Sequence, residues 1–294
     1  MSHVLIQQLL EKAPVILDGA WGTQLQSRGL AVGACPDEWN LSHPADVEAV
    51  ARAYVEAGSQ IILTNTFGAN PITLERYGLA DKTVAINRAG VEISKRAAAG
   101  QSFVFASIGP TGVMLMMGTK TPEELRSAFL VQAQALAEAG ADGLVIETMS
   151  DPAEALLALE AAKTTGLPVV VCMTFDSGKN RDRTMMGTTP EQAAEQLSAV
   201  GADVIGANCG AGPENYVSIC ERLKAATDRP VWIKPNAGLP EIVDGRTVYR
   251  IAPQEFAKYV PKLVEAGASF IGGCCGTTPE FIKAICQLLG KNSN

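Results

Sequence analysis

The segment EAGADGLVIE (138–147) ends a predicted helix at a glycine and runs directly into a short apolar stretch. Variants of it recur as EAGSQIILTN (56–65), SAVGADVIGAN (198–208) and EAGASFIGG (265–273). Glycine is the residue most favoured just after a helix end, and the apolar run that follows each glycine is typical of a buried strand. Repetition of one helix–strand unit along the chain predicts an α/β fold assembled from equivalent units.

Eight short apolar runs are spread over the whole chain, and helical stretches separate them. Each run is too short for a typical helix and lacks strict alternation, as expected for strands that are buried on both faces of a parallel sheet. The even spacing of the runs predicts a (β/α)8 TIM barrel that forms a single domain over residues 1–294, with a doubly wound sheet as the alternative. The runs are VILDGA (15–20), IILTNTFG (61–68), FVFASIGP (103–110), GLVIET (143–148), VVVCMTF (169–175), VIGANCG (204–210), VWIKPNAG (231–238) and FIGGCCG (270–276).

Composition and charge argue against nucleic-acid binding and membrane association. The chain has 294 residues, 47% of them hydrophobic and 19% charged, with a formal net charge of −7, which suits a soluble globular protein. It has no cluster of Lys and Arg, so we expect no nucleic-acid binding. No apolar run approaches the roughly 20 residues that span a bilayer, and the N-terminal segment resembles a short amphipathic helix rather than a signal peptide. We therefore expect no membrane association and a cytoplasmic location.

Three of the seven cysteines lie at the ends of predicted strands. Cys209 ends the run VIGANC, and Cys274 and Cys275 lie in FIGGCCG. Three thiols can hold one Zn²⁺ and leave its fourth position open, which is typical of catalytic rather than structural zinc sites. Such a zinc is suited to bind a further thiol and keep it nucleophilic, so the pattern favours an enzyme that alkylates a small thiol. Passive burial is the alternative interpretation, and we assign it to the other four cysteines, Cys35, Cys172, Cys220 and Cys286.

Charged residues at the ends of other predicted strands indicate what else the site could bind. Asp18 and Glu147 each end an apolar run, and a buried carboxylate needs a partner. Each either caps a neighbouring helix or loop, or binds the ammonium group of an amino-acid substrate, whose carboxylate would meet backbone N–H groups of the Asp18-Gly19-Ala20 turn. Lys234 supports a competing hypothesis, a Schiff-base aldolase-type barrel in which burial lowers the lysine pKa and frees the amine.

Seven segments together resemble the homocysteine S-methyltransferase family over nearly the whole chain. They are DGAWGTQLQ (18–26), LTNTFGAN (63–70), SIGPTG (107–112), IET (146–148), GANCG (206–210), PNAGLP (235–240) and GGCCGTTPE (272–280). The resemblance implies a zinc-dependent (β/α)8 barrel that methylates the sulfur of homocysteine to give methionine. It also implies that Cys209, Cys274 and Cys275 are the zinc ligands, and that Asp18 and Glu147 occupy homocysteine-binding positions.

The same resemblance bears on the fourth metal position and on the substrate. It implies Asn236 as an oxygen ligand of the zinc when substrate is absent. Ala20 stands where the family usually has glycine, which adds a methyl group close to the expected position of the substrate carboxylate.

The methyl donor is the remaining question. The segments PNAGLP and GGCCGTTPE are most similar to the homocysteine-binding module of cobalamin-dependent methionine synthases, and the chain ends soon after the predicted barrel. We therefore expect a methylated corrinoid carried by a separate protein. Residues 113–117, VMLMM, either pack in the core or form an adaptable docking surface for that protein. A small cationic donor, S-methylmethionine or betaine, is the alternative and would need aromatic walls, for which Trp21, Phe67 and Phe175 are the candidates.

Overall fold

A computed structural model of the chain describes residues 3–243 and 246–291. Within these ranges, eight parallel strands form one sheet in the order β1-β10-β7-β6-β5-β4-β3-β2. In chain order the strands are β1 Val15–Ile16, β2 Ile61–Ile62, β3 Phe103–Ile108, β4 Gly143–Met149, β5 Val169–Met173, β6 Val204–Cys209, β7 Val231–Pro235, β8 Glu241–Val243, β9 Arg246–Val248 and β10 Ala268–Ile271.

The first two strands close this sheet into a barrel. A parallel bridge joins Leu17, which follows β1, to Ile61 of β2. Gln60 reinforces the junction, because its backbone N–H donates to Ile16 O at 2.7 Å and its side chain accepts from Ile16 N at 2.9 Å. The predicted (β/α)8 TIM barrel is therefore confirmed, and each of the eight predicted apolar runs contains or overlaps one strand of the closed sheet.

Helices separate the strands and cover the outside of the barrel. Proline in the first turn begins most of them, where its missing N–H and fixed φ cost nothing. In chain order they are α1 Val4–Leu10, α2 Gly22–Gln26, α3 Trp39–Ser42, α4 Pro44–Glu56, α5 Pro71–Glu75, α6 Thr83–Ala98, α7 Pro122–Glu138, α8 Pro152–Lys163, α9 Pro190–Val200, α10 Pro213–Ala225, α11 Pro253–Ala257, α12 Val260–Glu265 and α13 Pro279–Leu288. Short 3₁₀ turns lie at Ala80–Lys82 and Leu115–Met117.

Two apolar clusters support the barrel. The inner one fills the barrel itself, where Trp232 packs between Phe105 and Phe270 with ring centroids 6.2 and 5.3 Å away. Helix α1 adds Ile6 and Leu9 to this cluster. The outer cluster lies between strands and helices. The filled interior leaves the ends of the strands as the place where polar side chains can meet a ligand.

The four cysteines that we assigned to the core are all buried, which confirms that prediction. Cys172 lies in the inner cluster, Cys220 and Cys286 lie in the outer one, and Cys35 belongs to a smaller cluster. None of the described helices combines the length and the apolar character that crossing a membrane would require.

Candidate active site

The three strand-end cysteines converge. The sulfur atoms of Cys209, Cys274 and Cys275 all lie within 4.8 Å of one another, and the Cys209 and Cys275 sulfurs are 3.8 Å apart. Cys209 is the last residue of β6, and the other two follow β10. Strand β7 lies between β6 and β10 in the sheet, so the thiols meet across the end of a single intervening strand.

Backbone contacts with β7 and its following turn hold the pair Cys274-Cys275 in place. The backbone N–H of Cys274 donates to Pro235 O at 2.7 Å, and that of Cys275 donates to the side-chain oxygen of Asn236 at 3.0 Å. Cys209 has a left-handed backbone with a φ of 66°, and Tyr216 Oη donates to its carbonyl at 2.6 Å. Asn236 therefore already uses one lone pair of its side-chain oxygen on the Cys275 backbone.

The chemistry of this thiol cluster fits a metal cation. The hydrogen bond with Cys274 lowers the pKa of Cys209, but hydrogen bonding with Cys275 and burial together outweigh it and raise that pKa to about 12. The pKa of Cys275 is likewise raised to about 12, and that of Cys274 is also raised. Three half-buried thiols this close resist ionising together, and a bound cation is what would hold them as thiolates.

The cluster opens into a cavity of about 400 Å³ at the C-terminal ends of the strands. A cavity of this size suits a small molecule rather than a polymer. Its wall includes all three thiols, Glu147, Lys234 and the turn residues Gly19 and Ala20. The location agrees with the end of a TIM barrel at which active sites are built.

Glu147 is a carboxylate that faces this cavity while only 8% exposed. Its Oε1 accepts from Ser107 Oγ at 2.6 Å, and its Oε2 lies 3.4 Å from Asn208 Nδ2. Burial raises the pKa of Glu147, although the charge of Lys234 and the Ser107 hydrogen bond oppose the rise. The same Asn208 nitrogen lies 3.7 Å from Cys274 Sγ, so one amide separates the carboxylate from the thiol cluster.

Asp18 is fully buried and does not itself line the cavity. Its Oδ1 accepts from Lys234 Nζ at 2.5 Å, and its Oδ2 accepts from Trp21 Nε1 at 2.8 Å and from Leu63 N at 2.7 Å. A substrate ammonium would have to displace one of these donors in order to contact Asp18 directly. In this structure the carboxylate holds a lysine instead.

Lys234 is a poor candidate for Schiff-base chemistry. Burial opposes its charged form, but the Asp18 and Glu147 carboxylates outweigh burial, and the pKa of Lys234 is raised. A nucleophilic amine needs the opposite shift.

At Gly19 the turn that follows β1 brings backbone, rather than a side chain, to the cavity wall. A Cβ on Gly19 would lie 2.8 Å from both Thr277 Oγ1 and Tyr54 Oη, so only glycine fits there. The Ala20 N–H already donates to Thr277 O at 3.1 Å, and among the described residues the Gly19 N–H has no such acceptor.

Part of the cavity wall was not predicted from the sequence. Asp37 is a buried carboxylate in this wall whose pKa is raised to about 6 by burial. Trp21 and Phe67 line the cavity as the small-donor alternative required, and Tyr77 joins them. Phe175, the third aromatic candidate, is fully buried and does not line the cavity. No sequence motif marked Asp37 or Tyr77, because both come from loops outside the strand-end pattern.

Comparisons with known proteins agree with these features. A model of the homocysteine S-methyltransferase family matches residues 15–289. Methionine synthases of Mycobacterium leprae and Mycobacterium tuberculosis are each 30% identical, over 98% and 94% of this chain but 25% of their own length, so the chain spans about a quarter of these relatives. Among solved structures, the metallated form of the homocysteine methyltransferase MmuM from Escherichia coli is 26% identical with a TM-score of 0.80, covering 95% of this chain and 98% of that one. The chain belongs to the homocysteine S-methyltransferase family.

Proposed function

We propose that this chain is a zinc-dependent methyltransferase that methylates the sulfur of homocysteine to give methionine. One observation carries the proposal: three thiols within 4.8 Å of one another share a cavity with the buried carboxylate of Glu147. Asn208 lies between them, 3.7 Å from Cys274 Sγ and 3.4 Å from Glu147 Oε2. A three-carbon chain between a sulfur and an ammonium group can bridge this separation, and homocysteine has such a chain.

Cys209, Cys274 and Cys275 would hold the zinc, since three thiolates that leave one position open form a catalytic donor set. When bound, the metal supplies the positive charge that allows a thiol to lose its proton near neutral pH. Asn236 remains a proposed oxygen ligand in the absence of substrate, through the lone pair that Cys275 N does not use. All seven cysteines are free thiols, which agrees with the cytoplasmic location that we propose.

The protein side chains would fix the substrate by its polar end. Glu147 accepts hydrogen bonds from the ammonium group, and the Gly19 N–H is free to donate to the carboxylate. Asn208 holds Glu147 at a set distance from the thiol cluster, and Ser107 fixes the other carboxylate oxygen. Holding the sulfur in a single position for attack on a methyl group is the main contribution that a rigid barrel can make.

For the donor we propose a methylated corrinoid on a separate protein. The support is the similarity to methionine synthases and the exposed loop after β3. In that loop Met114, Met116 and Met117 are 43%, 72% and 68% exposed, whereas Val113 and Leu115 pack on the core. Exposed methionines suit adaptable contacts with a partner.

A small cationic donor, S-methylmethionine or betaine, is the second candidate. It is favoured by Trp21, Phe67 and Tyr77 in the cavity wall, since aromatic faces attract onium groups. The carboxylate of Asp37, only 4% exposed and without a cationic partner in the described part of the chain, adds negative charge to the same wall.

The test is to offer homocysteine to the zinc-loaded protein with four donors in parallel: free methylcobalamin, a methylated corrinoid protein, S-methylmethionine and betaine. Methionine is measured by mass spectrometry. We expect methionine with the corrinoid protein. Turnover with a small donor alone would overturn the donor assignment, and no methionine from any donor would contradict the proposed activity.

A further inference from the structure

Lys234 is a buried lysine at the wall of the cavity, and the proposed function gives it no role. It pairs with Asn208 in the register of β7 and β6, so it lies beside the amide that contacts both Glu147 and Cys274. Its side chain is only 2% exposed, yet it lines the cavity. In the part of the chain that the structure describes, Asp18 Oδ1 is the one acceptor within hydrogen-bonding distance of its Nζ.

A lysine ammonium has three N–H donors, so the ion pair with Asp18 leaves donors without acceptors. Asp18 has hydrogen-bond donors other than the lysine, because its second oxygen already accepts from Trp21 Nε1 and Leu63 N. Buried ion pairs seldom add net stability, and unmade hydrogen bonds of a buried charge are costly. The spare donors therefore point to an acceptor that enters the cavity from outside.

We propose that Lys234 binds the α-carboxylate of the amino-acid thiol and makes the site selective for zwitterionic substrates. The proposal rests on the proposed function, whose homocysteine carries this carboxylate. Asp18 acts as a positioning residue, since it holds the lysine in place. The Gly19 N–H, directly after Asp18 in the chain, offers the second donor to the same carboxylate.

The charges of the site match such a substrate. Without substrate, Asp18 balances Lys234, and Glu147 and Asp37 are the other carboxylates at the cavity wall; of these two, Glu147 is the one linked through Asn208 to the thiol cluster. A zwitterion places its ammonium at Glu147 and its carboxylate at Lys234, and adds no net charge to the buried site. A thiol that lacks the carboxylate leaves the lysine donors unpaired, which is the condition under which a buried polar site rejects an analogue most strongly.

The test compares homocysteine with 3-mercaptopropylamine, which is the same thiol without the carboxylate. Binding to the zinc-loaded protein is measured by calorimetry for the wild type and for Lys234→Met. We expect the wild type to prefer homocysteine and Lys234→Met to lose about 10- to 150-fold of that preference, because a hydrogen bond to a charged group has been removed. Affinity for 3-mercaptopropylamine should change little.

Glu147→Gln serves as the matched control, tested against 4-mercaptobutyrate, which keeps the carboxylate and lacks the amine. It should reduce the preference for homocysteine over 4-mercaptobutyrate and leave the Lys234-dependent discrimination in place. The double variant Asp18→Asn/Lys234→Met removes both members of the ion pair and so avoids an unpaired buried carboxylate. It should show the same loss of carboxylate preference as Lys234→Met.

An unchanged ratio of affinities for homocysteine and 3-mercaptopropylamine in both lysine variants would overturn the proposal, even if both thiols bound more weakly. That result would leave Lys234 with a purely structural role. The proposed function would still stand, provided that the wild type binds homocysteine. If the wild type bound no homocysteine at all, both proposals would fail together.

Discussion

Glu147 is a carboxyl group that little water reaches, and its replacement by Gln separates substrate binding from metal binding. The amide keeps the shape and can still accept from Ser107, but it loses the charge that attracts an ammonium group. Loss of one charged hydrogen bond costs about 1.5–3 kcal/mol. We expect calorimetry to show homocysteine affinity weakened by that amount and zinc content unchanged. Normal affinity in the variant would remove Glu147 from the substrate site.

The raised pKa of Glu147 predicts a pH dependence of substrate affinity. The carboxylate binds an ammonium only when ionised, so affinity is complete above its pKa and is lost as pH falls through it. Because burial raises this pKa above the usual glutamate value, the loss should begin at a higher pH than for an exposed carboxylate. Calorimetric titrations at a series of pH values measure it, and Glu147→Gln should abolish this step. A wild-type profile identical to that of the variant would contradict the assignment.

The three cysteines of the cluster should be individually necessary for the metal. Cys209→Ser or Cys275→Ser leaves two thiol ligands, too few for a tight site, so most of the zinc should be lost. Cys172→Ser is the control, since that thiol is fully buried inside the barrel, away from the cluster. The measurement is the zinc content of each purified variant. Retention of full zinc by Cys275→Ser would refute the ligand set.

From the sequence we could predict which residues lie at the site, but not which hydrogen bonds and ion pairs they form there. Strand ends converge in any TIM barrel, so the cysteines and Glu147 could be placed from their positions alone. The ion pair between Lys234 and Asp18 joins β7 to the end of β1, two strands separated by β10 in the sheet. No local pattern encodes a contact between residues so distant in the chain.

Strand β6 approaches β7 closely, and Gly206 is the residue that allows it. A Cβ at position 206 would lie 2.2 Å from Trp232 O and 2.9 Å from Cys172 Sγ. Gly206→Ala should therefore force the strands apart, cost about 1–3 kcal/mol of unfolding free energy, and loosen the metal site at Cys209. Gly22→Ala is the control, since a Cβ there meets no atom within 4 Å. Chemical denaturation measures both, and equal stability of the two variants would contradict the packing account.

Helix and strand identities followed from the sequence because each depends on local features. The predicted helix ends at glycine and starts at proline agree with α4, α7, α8 and α9 to within a few residues. The antiparallel hairpin of β8 and β9 was not predicted. Its sequence signal was present, because Asp244-Gly245 separates two short runs that suit strands, although that dipeptide lies outside the described residues.

The barrel as a whole brings together what no single unit contains. The thiols come from β6 and the turn after β10, the carboxylate that we propose to bind the ammonium group comes from β4, and the lysine that we propose to bind the carboxylate comes from β7. Repeated helix–strand units were enough to predict this assembly. The course of the loops that supply Asp37, Tyr77 and the exposed methionines could not be predicted, because loop conformation depends on contacts made only in the folded molecule.

The central claim is that this site binds homocysteine and ionises its thiol with the help of a metal at the three cysteines. The most direct measurement is a calorimetric titration of zinc-loaded protein with homocysteine at neutral pH in buffers of different ionisation enthalpy. We predict release of about one proton per homocysteine bound, and none with metal-free protein. Homocysteine binding without proton release, or equal release with and without metal, would contradict the claim.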